Sequence, residues 1–264
     1  MLDGPPSGWG SSGAPTALRD RYRLLVSATA DSTPGLLLGS RVGTEILVLD
    51  NLARDEAVEL IARRASSMHR SIPPEVVRLL TSRPRTPRWL VVATDLLFTL
   101  IAHDYLAVRG LPAGIDPAQA ISALLIYIAD RLPDDIDDLH EEAYLRLMEV
   151  IGPAPATVLA VLEMTESGLR DADLVAVLGE VGTDNRQLDL ALVRSVLGAH
   201  VATVGENWSF AHPTAHAAAA GLVSMFREED PAAVDALTVA VVRHLLSLDP
   251  ADPVRVRELL PLLM

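Results

Sequence analysis

Two residue types are missing from the 264-residue chain: cysteine and lysine. Without cysteine there is no disulfide, no thiol nucleophile and no thiolate metal ligand, as expected of a cytoplasmic protein. Without lysine all 22 basic side chains are arginine. A Walker-type phosphate loop needs a lysine ammonium to reach the β- and γ-phosphates, so this chain cannot build one. Aromatic residues are scarce at 4%, which leaves Leu, Val, Ile and Ala to fill the interior. Long apolar runs are absent too. The stretch 89–102 is interrupted by Asp95 and is too short to span a bilayer; it reads as a buried helix. The opening Met1-Leu2-Asp3-Gly4-Pro5-Pro6 has neither the basic nor the apolar region of a secretion signal.

Positive charge is in the minority, with 35 acidic residues against 22 basic ones and a formal net charge of -13. That field repels nucleic-acid backbones and anionic membrane surfaces alike. The expected partners are therefore proteins, with neither nucleic acid nor membrane. Half of the residues are hydrophobic, enough for a folded core and for two or three small domains. The Ala-, Val- and Asp-rich, lysine-free composition is that of a chain from a GC-rich, bacterial genome.

Residues 1–17 are rich in Gly, Pro and Ser and read as flexible. The runs 22–28 (YRLLVSA) and 45–50 (EILVLD) have strand length, but two short strands do not make a stable sheet alone. From Asn51 the period becomes helical. Ala57, Leu60, Ile61, Ala65 and Met68 form one face, with Glu59 and Arg63 a turn apart on the other. Pro73-Pro74 and Thr86-Pro87 each open a helix, the second as cap plus first-turn proline. The helix after Pro87 is apolar on several sides, is predicted to run to Gly110, and should lie at a bundle centre. A further helix starts at Asp116-Pro117 and carries Ile121, Leu124, Leu125 and Ile128. The acidic residues 134–138 read as a solvated loop and helix start, because a calcium loop's alternating ligands and glycine are missing.

After Ala154 the pattern predicts three helices (156–165, one carrying Leu174, Val177 and Leu178, and 187–197). Two short strands, 201–204 and 208–211, follow around Gly205-Glu206-Asn207. Three helices and a hairpin are the winged-helix order. Helices over 214–226 and 231–247, and one starting at Pro253, complete a mainly α chain: helical bundle, winged helix with a short β-hairpin, then C-terminal helices.

No enzyme site emerges. Ile46-Leu47-Val48-Leu49-Asp50 has the form of a Walker B strand, but with no phosphate loop before it the pattern reads as an ordinary strand end. Ser40, in Gly39-Ser40-Arg41-Val42-Gly43, lacks the nucleophile-elbow spacing. His212 and His216 stand one turn apart without a third ligand or an intervening Glu, so capping or packing is the simpler reading. The third helix of the winged-helix reading offers one Arg and one Asp over 187–194, a poor set of donors for DNA.

The ordered stretches YRLLVSA (22–28), LDNLARDEAVELIARRA (49–65), RTPRWLVVATDLL (85–97), ESGLRDADLVAVLG (166–179) and WSFAHPTAH (208–216) resemble the C-terminal portion of a STAND-class, NACHT-like signalling NTPase. The likeness covers residues 20–226. It implies remnant core strands in 1–50, a helical lid in 51–150, a winged helix in 151–226, and in 227–264 C-terminal helices that could begin a repeat array. By the same likeness Ser27 takes the first-sensor position at a strand end, Pro87 the lid proline beside adenine, and His212 the histidine that touches bound ADP. The implied function is a regulatory module of a nucleotide switch that oligomerises on activation. It would not be catalytic alone, and ATP or ADP with magnesium would bind only in a complete parent protein. The phosphate loop and the sensor arginine are absent, and Arg170 replaces the usual capping Ser or Thr. The resemblance therefore implies a fragment, a truncated reading frame or a degenerate member. The rival readings are a free-standing helical adaptor and a winged-helix DNA-binding regulator.

Overall fold

Local sequence signals start nearly every helix. The computed structural model describes residues 52–82, 85–109, 115–182 and 186–263. The expectations for 1–17, for the two early runs, for Ser40 and for Ser27 lie outside those residues. Within them, α1 (Arg54–Ser67), α2 (Pro74–Leu80), α3 (Pro87–Leu96), α4 (Pro117–Ala129) and α5 (Ile136–Ile151) come first. Proline occupies the first turn of α2, α3 and α4, where its missing N–H has no helical partner to lose. The Thr86 hydroxyl accepts a hydrogen bond from the Trp89 amide and caps α3, and Asp135 caps α5 through the Asp137 amide at 2.8 Å. The acidic stretch is thus a loop and helix start.

The helical faces read from the sequence are the buried ones. Ala57 and Ile61 of α1, Val76 and Leu80 of α2, and Leu124, Leu125 and Ile128 of α4 close on one apolar cluster, and Ala65 of α1 is buried as well. Ile121, one turn nearer the start of α4, stays exposed. α3 sits at the centre, burying Trp89, Leu90, Val92, Ala93, Thr94 and Leu96. It is shorter than its apolar pattern predicts. After Leu96 the chain turns and forms a 3₁₀ segment at Asp104–Val108. Asp104 explains the break. Its carboxylate accepts from the Ile101 amide and pairs with buried Arg146 at 2.7 Å, a bond that continuing the helix would forfeit.

α6 (Ala154–Met164), β1 (Leu169–Arg170), α7 (Asp171–Glu180), α8 (Arg186–Val196), a 3₁₀ turn (Leu197–Ala199), β2 (Val201–Val204) and β3 (Asn207–Phe210) follow. The strands form one antiparallel sheet of order β1-β3-β2, with Leu169 opposite Trp208 and Val204 opposite Asn207. Gly205 takes a φ of +65° in the two-residue hairpin loop, as the first central position of a II′ turn requires. Gly168 is more constrained. Its φ is +73°, and a Cβ there would lie 1.6 Å from the Trp208 carbonyl oxygen, so only glycine lets β1 approach β3.

Helices α9 (Pro213–Glu229), α10 (Pro231–Ser247) and α11 (Pro253–Leu263) close the chain. They join α6–α8 and the sheet around a second apolar cluster that includes Trp208, Leu174, Leu222 and Val241. α5 belongs to both cores: Leu139 and Ala143 face the first, Tyr144 and Leu147 the second. Residues 51–264 make up one compact unit. Among the described residues the protein is mostly helical with one small sheet, and no helix is long and apolar enough to cross a membrane.

Candidate functional site

Of the three positions singled out by resemblance, two can be placed, and each stands at the head of a helix. Pro87 is the first residue of α3 and His212 is the N-cap of α9. The His212 ring nitrogen Nδ1 accepts from the Thr214 amide at 3.2 Å and lies 2.9 Å from its hydroxyl. His216, one turn on, stacks on Phe210 with ring centroids 5.1 Å apart. Capping and packing thus account for both histidines.

One long hydrogen bond links the two helix heads. Arg88, next to Pro87, donates to the carbonyl of Ala211, next to His212, across 3.4 Å. Beneath this junction lies a polar cluster that sequence reading missed. His140 and Tyr144, one turn apart on α5, face His200, which follows the 3₁₀ turn. The two histidine Nδ1 atoms are 2.7 Å apart. The rings cross at 73° with centroids 4.7 Å apart, and both side chains are buried. The Tyr144 hydroxyl donates to the Ala215 carbonyl in the first turn of α9 at 3.0 Å, and the Ala211 amide donates to the His200 carbonyl at 2.8 Å. His140, Tyr144, His200 and Arg88 therefore tie α3, α5 and the start of α9 into one polar knot.

Its electrostatics follow from burial and positive charge. Burial, with Arg88 and then His212 adding repulsion, lowers the His140 pKa to about 4. His200 is held well below the ordinary histidine range by burial, then by His140, Arg88 and Arg64. Burial raises the Tyr144 hydroxyl far above its usual value. At neutral pH the histidines are neutral and Tyr144 keeps its proton. Arg88 acts on both rings, and two helix amino ends carry partial positive charge.

A local signal did exist in part: His140 and Tyr144 have helical i,i+4 spacing. Nothing in the order of residues pairs them with His200, sixty positions away. Elsewhere, Arg194 of α8 is committed to Asp171 at 2.7 Å and lies over the Trp208 ring. The Trp208 indole N–H donates to that same aspartate. Among the described residues, no group of three or more His, Asp or Glu side chains is placed to hold a metal ion. Neither a protein-family model, nor a curated protein, nor a solved structure matches this chain.

Proposed function

We propose that the chain is a regulatory module of a STAND-like nucleotide switch, in which residues 51–150 act as the lid and 151–226 as a winged helix. One observation carries this reading: the helix heads bearing Pro87 and His212 are joined through Arg88 and the Ala211 carbonyl. The family likeness would have these two residues touch one nucleotide. The order α6-β1-α7-α8-β2-β3, with β3 between β1 and β2, supports the winged-helix part. In this mechanism the junction supplies positive charge and two helix amino ends to an adenine nucleotide. The grip on the β- and γ-phosphates must come from a lysine-bearing loop that this chain does not contain. Nucleotide held between core, lid and winged helix favours a closed state, and its exchange lets the helical units rotate and associate.

Arg194 is the one arginine of α8 with a described side chain, and its commitment to Asp171 weighs against DNA reading. The net charge of -13 weighs the same way. A free-standing protein adaptor is the second reading, favoured by the exposed Val256, Leu260 and Leu263 along α11. Calorimetry and a phosphate-release assay on the purified chain test the proposal. The expected result is no ATP turnover and no nucleotide complex tighter than about 100 μM. Turnover, or micromolar binding, would overturn it. A mobility-shift assay at low salt should show no DNA complex, and a salt-dependent one would favour the DNA-binding reading instead.

A further inference from the structure

The polar knot at the junction also has a property that owes nothing to nucleotide. At 2.7 Å between Nδ1 atoms, the His140–His200 contact accommodates one hydrogen between the two nitrogens. With both rings neutral, one Nδ1–H donates and the other Nδ1 accepts. A pair carrying one extra proton keeps that bond. A doubly protonated pair presents two N–H groups to each other and cannot. Among the described residues, no carboxylate hydrogen-bonds to either ring. The groups acting on the pair are Arg88 from α3, Arg64 from α1, which is bound to Asp95 at 2.6 Å, and His212 at the head of α9. Each is positive or can become so. Tyr144 beside the pair has its hydroxyl committed to Ala215.

The location gives the contact leverage. His140 is on the helix shared by both apolar cores. The His200 carbonyl holds the Ala211 amide, and the Ala211 carbonyl holds Arg88. We propose that the His140–His200 contact is an acid-released latch: proton uptake by the two rings parts α5 from the segment carrying His200, and with it the Arg88–Ala211 junction, while both apolar cores stay folded. The sign is fixed by burial. Both rings are harder to protonate in the closed state than in water. The latch therefore holds fully above the ordinary histidine pKa of about 6.5 and weakens as pH falls toward about 4.

The test reads amide exchange of Ala211 against that of Tyr144 in α5, each corrected for its intrinsic rate, from pH 7.5 to 4.5. Circular dichroism monitors helix content in parallel. The latch requires Ala211 protection to fall at least tenfold relative to Tyr144 with helix content unchanged. It also requires that the His140→Gln, His200→Gln double variant lose this pH dependence, because paired amides still hydrogen-bond but do not titrate. An equal fall in wild type and variant, or loss of Ala211 protection only together with global unfolding, overturns the proposal. Should the double variant not fold, nitrogen NMR of the wild-type imidazoles decides. Rings still neutral at pH 5.5 and charging as Ala211 opens support the latch. Rings that charge near pH 6.5 with Ala211 still protected refute it.

Discussion

The two cores are fastened by different means. The first, built mainly from α1–α4 and one end of α5, is helical, so away from the helix ends its backbone groups are satisfied within each element. Its main inter-element ion pairs, Arg64–Asp95 and Arg146–Asp104, fix where the helices lie and where α3 ends. The second contains a two-residue strand and two four-residue strands, which cannot persist on their own. Buried carboxylates clasp these pieces. Glu258 of α11 accepts from the Glu166 amide at 2.7 Å, from the Ser167 amide at 2.9 Å and from the Ser167 hydroxyl. Asp173 of α7 takes Arg170 at 2.6 Å and His244 at 2.9 Å, and Arg170 reaches on to Asp252 at 3.0 Å. The lesson is that short strands depend on distant polar partners, whereas helices need chiefly an apolar face.

That contrast can be broken by experiment. In a Trp9→Phe background, Trp89 of α3 reports on the first core and Trp208 of β3 on the second. The largest effect is expected from Gly168→Ala. Its new Cβ would collide with the Trp208 carbonyl, and the cost in urea unfolding should exceed about 3 kcal/mol. A cost below about 1 kcal/mol would mean that β1 is not pinned there. Glu258→Ala comes next. Leaving two partly buried amides without their acceptor should cost roughly 2 kcal/mol and shift the Trp208 transition before that of Trp89. Coincident transitions would show that the cores unfold as one, and the comparison would fail.

Asp173→Asn sharpens the point through pH. Burial alone would raise this carboxyl, but hydrogen bonds from His244 and Arg170 outweigh it and hold the pKa at about 2 against an ordinary 3.8. Its stabilisation is therefore complete above pH 3.8 and lost as pH falls through 2. The variant should be about 1–2 kcal/mol weaker at neutral pH. Its Trp208 transition should have a shallower acid-dependent slope than the wild type below pH 4. An unchanged slope would remove Asp173 as the clasp. The smallest effect belongs to the first core: Thr86→Ala removes the α3 cap and should cost about 1 kcal/mol in the Trp89 transition.

What the sequence made readable follows the same division. Helix starts were legible because Pro and capping residues act on their own neighbours, as at Thr86-Pro87 and His212-Pro213. The hairpin was legible from Gly205. The end of α3 was not, because it is set by the Asp104–Arg146 pair, 42 positions apart. Strand β1 is two residues long and exists through Trp208, so no local pattern announces it. In the site, Pro87 and His212 came from resemblance. Arg88, His140, Tyr144 and His200 stayed hidden because their meaning is their meeting.

Whether the two helix heads form one half of a nucleotide site is most directly tested by mapping amide shifts while ADP is titrated into the chain. Shifts are expected on residues 86–89 and 211–214, still far from saturation at about 10 μM, and lost in Arg88→Ala. Shifts elsewhere, none at either head, or saturation at micromolar ADP would contradict this reading.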